Sequence, residues 1–360
     1  MTNHLFSIPF DGLITLEIGA TLLLGSILFW AGMRLGHVLL RQGATAQDLF
    51  KGHHGLAFLF LGLYVFLIVI SLNIPQLPIL PIEWRFYGMR VSLTLMRILL
   101  IGIAGVAFTI SWKTARSQVI AVLLIGLLGV GGFSAAEVYF LAPIHAELDN
   151  NLRPNGVFRQ TSSSSCAPAA LATLLRRWGL DATESEVARL AGTSRLGTSM
   201  PQLIIAARSL GFDGLELKPT WEQMQQINRP GILAVWLLAG VHRLPHAVTL
   251  LALDQERATI ADPANGRIYR LNRQQFARVW RQEYVPIFRP NDLDLNDAEV
   301  VNYLDRSGFK SQPGEKVSSP LRSFQERQGL PATGNLDGKT ALLLRGSFLQ
   351  SGPTLSSHSL

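Results

Sequence analysis

The chain of 360 residues contains one cysteine, Cys166, at the start of a segment with the residue pattern of a helix. A helix N-terminus lowers the pKa of a thiol, and a neighbouring imidazolium lowers it further, so a cysteine placed there can act as a nucleophile. Pro168 suits the first turn of this helix, because an N–H at that position would lack an intrahelical partner in any case. A lone cysteine cannot form an internal disulfide, so the sequence leaves two interpretations, a buried packing residue or a nucleophile.

The sequence around Cys166 also supplies candidates for the other parts of such a site. A cysteine nucleophile needs a base, a group that orients the base and donors for an oxyanion. His246 begins the predicted strand HAVTLLAL, and His242 lies in the loop before it. Asp262 ends the next predicted strand, where a hairpin would place it beside His246, and Gln160 lies six positions before Cys166. Each residue alone has an ordinary structural explanation, but the four in this order favour a catalytic site.

These residues require a scaffold of helices followed by strands. Three segments are predicted as helices from their apolar spacing, from the capping residues Thr183 and Ser199, and from the glycines that follow them. The segments predicted as strands, the last three forming a meander, are GILAVWLL, HAVTLLALD, RATIADP and GRIYRLN. Helices before strands indicate an α+β domain, which we place at residues 156–290.

This order of motifs resembles the papain-like double-glycine leader peptidases, the bacteriocin-processing cysteine peptidase family. The resemblance covers nearly all of residues 157–289, including the PAALATLLRRWG helix, the AGTSRLGTSMPQLIIAARSLGF segment, the HAVTLLAL strand and IADPANGRIYRL. It implies a papain-like fold that needs no cofactor or metal. It also implies that Cys166 is the nucleophile, His246 the general base, Asp262 the orienting residue and Gln160 the oxyanion donor.

Two features depart from the common form of that family. Where the family has Asp-Cys-Gly, this chain has Ser165-Cys166-Ala167, which bears on double-glycine specificity more than on the chemistry. The best-known members are fused to an ATP-driven exporter, whereas this sequence has no P-loop. We therefore do not expect leader cleavage coupled to export.

The N-terminal part of the chain has the composition of a membrane protein. Charged residues make up only 16% of the chain, against about 25% in soluble domains. The deficit arises in a membrane region at 1–145, whose apolar runs at 13–33, 56–72, 91–111 and 119–140 can each cross a bilayer as a helix.

The positions of Lys and Arg predict how these helices are oriented. Basic residues in the first and third connecting loops place those loops in the cytoplasm. Everything after about residue 147 is then extracytoplasmic, on the periplasmic side of a bacterial inner membrane. Arg97 lies within the third run, and we predict that it pairs with Glu137 or extends to the interface. Four crossings exceed what an anchor needs, so a membrane partner protein remains open.

The net charge of +7 comes from the middle of the chain, where residues 151–290 hold 17 basic and 10 acidic side chains. Such a surface suits an acidic substrate, anionic lipid headgroups or wall polymers, or it serves solubility. The sequence has no nucleic-acid-binding motif, and an extracytoplasmic location argues against nucleic acid as a partner.

Residues 298–349 resemble the small three-helix peptidoglycan-binding domain, mainly through LRSFQERQGLPATGNLDGKTALLL. The residues that carry this match are Leu321, Phe324, Gln325, Gly329, Leu330, Gly334, Asp337 and Thr340. Leu321, Phe324 and Leu330 are predicted as core, Gly334 as a turn residue and Asp337 as a helix cap. The tail at 350–360 lacks core-forming residues and is predicted to be disordered.

The sequence therefore predicts a membrane-anchored cysteine peptidase that hydrolyses a peptide bond in a peptide or protein substrate, held near peptidoglycan outside the lipid bilayer. Two alternatives stay open. One is a non-catalytic, peptidase-like binding module in a wall-anchored secretion or envelope assembly factor. The other is the same triad performing amide transfer or wall-peptide cleavage, because fold alone does not decide the reaction.

Overall fold

The computed structural model describes residues 10–239, 242–310, 316–349 and 351–356. These residues form two compact units, which divide between Leu141 and Ala142. The N-terminal unit is helical, and the C-terminal unit combines helices with an antiparallel sheet.

Four helices make up the N-terminal unit: α1 (Phe10–Arg41), α2 (His54–Asn73), α3 (Ile82–Thr114) and α4 (Val119–Leu141). By length and composition, each is long and apolar enough to cross a membrane. Every apolar run predicted from the sequence lies within one of them. The first and third helices extend beyond those runs, because hydropathy marks the stretch suited to hydrocarbon and not the polar turns that continue the same helix.

Helices α1 and α3 pack closely through glycine. A Cβ atom on Gly32 would lie 2.1 Å from the carbonyl oxygen of Gly102, and one on Gly105 would lie 2.3 Å from that of Phe29. Membrane helices depend on such small residues, because lipid gives them little hydrophobic drive to associate. The predicted pairing of Arg97 with Glu137 is confirmed, and Arg97 also donates to Thr21 Oγ1 at 3.2 Å.

The C-terminal unit is built on a six-stranded antiparallel sheet with the strand order β3-β8-β4-β5-β6-β7. A separate two-stranded ribbon, β1 with β2, precedes it. The strands are β1 (Asn151–Leu152), β2 (Phe158–Arg159), β3 (Asp213–Gly214), β4 (Gly231–Ala239), β5 (His242–Leu253), β6 (Arg257–Asp262), β7 (Arg267–Asn272) and β8 (Trp280–Phe288). The predicted meander of the last three sequence segments is the run β5-β6-β7.

The helices of this unit are α5 (Cys166–Arg177), α6 (Glu184–Leu190), α7 (Met200–Ser209), α8 (Trp221–Ile227), α9 (Arg273–Val279), α10 (Asp297–Arg306), α11 (Ser318–Arg327) and α12 (Gly338–Gly346). Helix α5 is buried along most of its length. It is fixed to β5 by the Thr249 hydroxyl, which donates to the carbonyl of Ala170 at 2.7 Å. Thr183 caps α6 as predicted, accepting from the backbone N–H of Glu186.

The predicted start of β5 at His246 is wrong. The strand begins at His242 and pairs with β4 as far as Leu250, so that Ala239 lies opposite His242 and Val235 opposite His246. His246 therefore lies inside a long hairpin. The start of β5 is set by how far its partner β4 continues. The local sequence pattern of β5 does not contain this information.

The three C-terminal helices share one hydrophobic core with the sheet. Leu304, Phe324 and Leu343 are buried in the same cluster as Met224 of α8 and Leu233 of β4. The predicted core positions Leu321 and Phe324 are buried, and Asp337 caps α12 by accepting from Thr340 N. Gln325 is also fully buried, donating to the carbonyl of Asn335 and accepting from Gly334 N. These motif residues therefore stabilise the fold.

The predicted disorder of the tail is wrong for residues 351–356, which pack against the sheet unit. Leu355 is 1% exposed, and its carbonyl accepts from Leu253 N at 3.0 Å. The buried guanidinium of Arg229 donates to the carbonyls of Ser351 and Pro353. Composition misleads here because these contacts use backbone carbonyls and a single leucine. Residues 350 and 357–360 lie outside the described residues.

Candidate active site

The loop before α5 positions Cys166 at the first turn of that helix. Its serines form a turn in which Ser162 N donates to Ser165 Oγ at 3.0 Å and Ser165 N to the Ser162 carbonyl at 3.3 Å. Ser164 Oγ ties the loop to the carbonyl of Arg195 at 2.7 Å. A short hydrogen-bonded loop thus holds Cys166 at the N-terminal end of the buried helix α5.

His246 and Asp262 come together from the neighbouring strands β5 and β6. The distance between His246 Nε2 and Asp262 Oδ1 is 2.7 Å, and both side chains are mostly buried. Asp262 Oδ1 also accepts from the backbone N–H of Ala264 at 2.9 Å, which fixes the carboxyl group. The predicted arrangement, with Asp262 beside the histidine at one end of a strand pair, is present in the structure.

The side chain of Cys166 interacts with that of His246, and this interaction moves the pKa of both groups. Because Nε2 of the ring is bonded to Asp262, Nδ1 is the nitrogen left for the thiol. Burial alone would raise the pKa of Cys166, but the hydrogen bond and charge of His246, with backbone hydrogen bonds at Ala247 and Ala167, hold it below 9.0. Burial likewise would lower the pKa of His246, but its bonds to Asp262 and Cys166 raise it to about 9. The pair is therefore arranged to hold a thiolate beside an imidazolium.

Gln160 lies next to this group, with its backbone N–H bonded to the carbonyl of Pro263 at 2.8 Å, directly after Asp262. Its Nε2 donates to the carbonyl of Ser162 at 2.8 Å. An amide nitrogen has two N–H bonds, so one stays available as a donor. The amide oxygen Oε1 is buried without a hydrogen-bond partner among the described residues.

The backbone of His242 is part of β5, but its side chain lies outside the described residues. Among the described side chains, His246 is the histidine that interacts with Cys166. Among the described residues, no group of three or more His, Cys, Asp or Glu side chains is arranged to hold a metal ion.

Sequence reasoning missed Glu184, a fully buried acid at the start of α6 that bonds to the loop carrying Gln160. In the sequence it looks like an ordinary acidic residue in the first turn of a helix. Only the fold shows that it points into the protein.

Comparison with known proteins identifies relatives of the segment that contains these residues. Residues 155–292 match the Peptidase C39 family. An uncharacterized protein of Methanothermobacter thermautotrophicus is 34% identical over 145 residues, which are 40% of this chain and 96% of that protein. The lactococcin-G-processing and transport ATP-binding protein LagD of Lactococcus lactis is 27% identical over 124 residues, 34% of this chain and 17% of LagD.

Among solved structures, a double glycine motif protease from an AMS/PCAT transporter, in complex with the leader peptide, is 22% identical. The match covers 37% of this chain and 90% of the protease chain, with a TM-score of 0.32. The match to the family and the alignment that covers 96% of the relative from Methanothermobacter thermautotrophicus lead to one conclusion. Through residues 155–292, this chain belongs to the peptidase C39 family.

Proposed function

We propose that this chain is a membrane-anchored cysteine peptidase that cleaves a peptide bond through an acyl-enzyme on Cys166. The observation that carries the proposal is the grouping of three side chains, in which Asp262 is hydrogen-bonded to His246 and His246 interacts with Cys166. A thiol, an imidazole and a carboxyl group in this order are what nucleophilic acyl transfer requires. Family membership supports a peptide or protein substrate.

In the proposed reaction, the Cys166 thiolate attacks the carbonyl carbon of the scissile bond, and a carbon–sulfur bond forms. The resulting oxyanion accepts from the backbone N–H of Cys166 and from the amide of Gln160. His246 gives its proton from Nδ1 to the leaving nitrogen, the carbon–nitrogen bond breaks, and an amine departs. Asp262 keeps the imidazole ring oriented through Nε2 in each step.

Hydrolysis of the thioester completes the cycle. His246, now neutral, takes a proton from a water molecule as its oxygen attacks the acyl carbon. The carbon–sulfur bond breaks, a carboxylic acid product leaves, and the thiolate and imidazolium are restored. No oxidant, reductant or metal enters this scheme.

The test uses the full chain in detergent and the activated ester N-benzyloxycarbonyl-glycine p-nitrophenyl ester. Acylation of Cys166 would release p-nitrophenolate in a burst whose amplitude equals the enzyme concentration. We expect Cys166→Ala to abolish this burst and the matched control Ser163→Ala, an exposed neighbour, to retain it. A burst of the same size in Cys166→Ala would rule out the mechanism. Absence of a burst in the wild-type chain would favour the non-catalytic binding module.

We further propose that the peptidase unit is extracytoplasmic and that residues 298–349 associate with peptidoglycan. The first point is supported by the basic residues in or near two connections. They are Arg34, Arg41 and Lys51 for the connection between α1 and α2, and Lys113 and Arg116 for the connection between α3 and α4. It is tested by labelling Cys166 in intact cells with a membrane-impermeant methanethiosulfonate. The second is supported by the sequence resemblance and is tested by sedimentation with purified cell-wall sacculi.

A further inference from the structure

Glu184 is a carboxyl group buried inside the C-terminal unit, with 0% of its surface exposed. Its Oε1 accepts from the backbone N–H of Thr161 at 3.0 Å, and its Oε2 accepts from the Thr161 hydroxyl at 3.1 Å. Burying a carboxyl group is unfavourable unless its oxygens are hydrogen-bonded. Both oxygens of Glu184 are bonded to one residue of one loop, so the fold uses this acid to fix that loop.

The residue that Glu184 holds is the direct neighbour of Gln160. On its other side, Gln160 is held through its backbone N–H by the carbonyl of Pro263. The Thr161 hydroxyl also accepts from Asp149 N at 3.2 Å, which adds a third attachment. Gln160 therefore lies between two anchors, the turn after Asp262 and the carboxyl group of Glu184.

The helix that carries Glu184 is itself fixed. Its cap, Thr183, accepts from Glu186 N at 3.1 Å. Ser185 N donates to Asn150 Oδ1 at 2.7 Å, and Ser185 Oγ donates to the carbonyl of His145 at 2.7 Å. Glu184 thus transmits the position of a rigid element to the loop.

We propose that Glu184 is a positioning residue for the oxyanion site and that it acts by holding the amide of Gln160 where the oxyanion forms. The inference rests on the proposed function. Two tasks within the site are then performed by different residues. The thiolate depends on His246, whereas Glu184 serves the step in which negative charge develops on the carbonyl oxygen. Misplacement of a catalytic group by about 1 Å can lower a rate about 100-fold.

The test is a double-mutant cycle on the full chain in detergent, with two probes. Acylation by N-benzyloxycarbonyl-glycine p-nitrophenyl ester forms an oxyanion, and alkylation by iodoacetamide does not. We expect Glu184→Ala to slow acylation by about 10- to 100-fold and to leave the rate and pH profile of alkylation unchanged within about twofold. Glu184→Gln, which keeps a partner for both Thr161 atoms, should restore most of the acylation rate.

Coupling to Gln160 distinguishes this role from general structural support. If Glu184 acts through Gln160, Gln160→Ala combined with Glu184→Ala should be no slower than Gln160→Ala alone. Thr161→Val removes the hydroxyl, with its bonds to Glu184 and Asp149, but keeps the backbone bond to Glu184. It should give a smaller loss of the same kind even if Glu184→Ala does not fold. Multiplicative losses in the double variant, or an equal loss of alkylation, would overturn the inference. A wild-type chain that iodoacetamide alkylates but the ester does not acylate would overturn the proposed function and this inference with it.

Discussion

At the scale of single residues, the pKa values of Cys166 and His246 each move in the direction opposite to the effect of burial. Burial favours the neutral thiol and the neutral imidazole, yet the contact between the two groups, with Asp262 behind the ring, moves both pKa values the other way. The pKa of the thiol falls below 9.0 and that of His246 rises to about 9. The ion pair is therefore populated in the pH interval between the thiol's lowered pKa and about 9.

The pH dependence of alkylation should report this pair. In the wild-type chain, the rate of iodoacetamide labelling should rise at a lower pH than it does for an ordinary thiol, because the pKa of Cys166 is lowered. It should change again near pH 9, when His246 loses its proton. In His246→Ala, burial is left without its compensation and the thiol pKa should rise, lowering the rate at pH 7 by about tenfold or more. Mass spectrometry of labelled Cys166 from pH 5 to 10 measures both profiles.

The matched control for this measurement is Leu244→Ala, an exposed residue two positions away on the same strand. It should keep the wild-type profile. Superimposable profiles for the wild-type chain and His246→Ala would contradict the pairing of Cys166 with His246.

At this scale, the sequence predicted which side chains come together better than it predicted the residues that hold them in place. Cys166, His246 and Asp262 were identifiable because their side chains have few ordinary reasons to appear in that order. Glu184 was not, because an acid in the first turn of a helix is common on protein surfaces. Its burial results from the packing of α6 against segments distant in the chain, such as the loop at Thr161.

At the scale of elements, α1 and α3 are joined where glycine lets their backbones approach. Gly32 faces the carbonyl of Gly102, and Gly105 faces that of Phe29. A backbone atom cannot move aside as a flexible side chain can, so neither glycine has room for a methyl group. The contact between these two helices therefore requires glycine at both positions.

Gly32→Ala should destabilise the N-terminal unit even though alanine favours helix formation. The added methyl group would lie 2.1 Å from the Gly102 carbonyl and force the helices apart, which we expect to cost about 1 to 3 kcal/mol. Gly129→Ala on α4 is the control, because nothing lies within 4 Å of its Cβ position. Thermal unfolding of the full chain in detergent compares the two. Equal melting temperatures would show that the close contact does not matter.

Elements were predictable in kind and less so in extent. The four apolar runs located the four helices that are long and apolar enough to cross a membrane, because about 20 consecutive apolar residues have few other uses. The end of the β4–β5 hairpin was misplaced because strand length depends on cross-strand pairing, as between Ala239 and His242. Residue periodicity within one strand does not contain that information.

At the scale of the whole C-terminal unit, the peptidase fold and the C-terminal helices are not separable bodies. Helix α12 approaches α8 so closely that a Cβ atom on Gly346 would lie 1.8 Å from the carbonyl of Gln226. Gln226 Nε2 donates to the carbonyl of Leu343, whose side chain is fully buried. In the sequence, residues 298–349 resemble a separate small domain, but Leu293 and Leu295 of the segment before it also pack against the shared core.

Leu343→Ala should therefore destabilise the peptidase fold from a distance. Truncating a fully buried leucine costs about 2 to 5 kcal/mol, and a shared core distributes that loss over the unit. We expect hydrogen exchange followed by mass spectrometry to show α5 and α12 losing protection together. Leu196→Ala, at an exposed position, should change neither. Loss of protection in α12 with α5 unaffected would indicate two independent domains.

The attachment of Leu355 to Leu253 has a consequence for the order of events during synthesis. Asp262, the last triad residue to be made, leaves the ribosome roughly ninety residues before Leu355. At about 5 to 20 residues per second, this interval lasts roughly 5 to 20 seconds. Throughout it, the sheet lacks the segment that covers Leu253 and the carbonyls that accept from Arg229. The nascent chain is thus expected to carry Cys166, His246 and Asp262 before the packing of the C-terminal unit around Leu253 and Arg229 is complete.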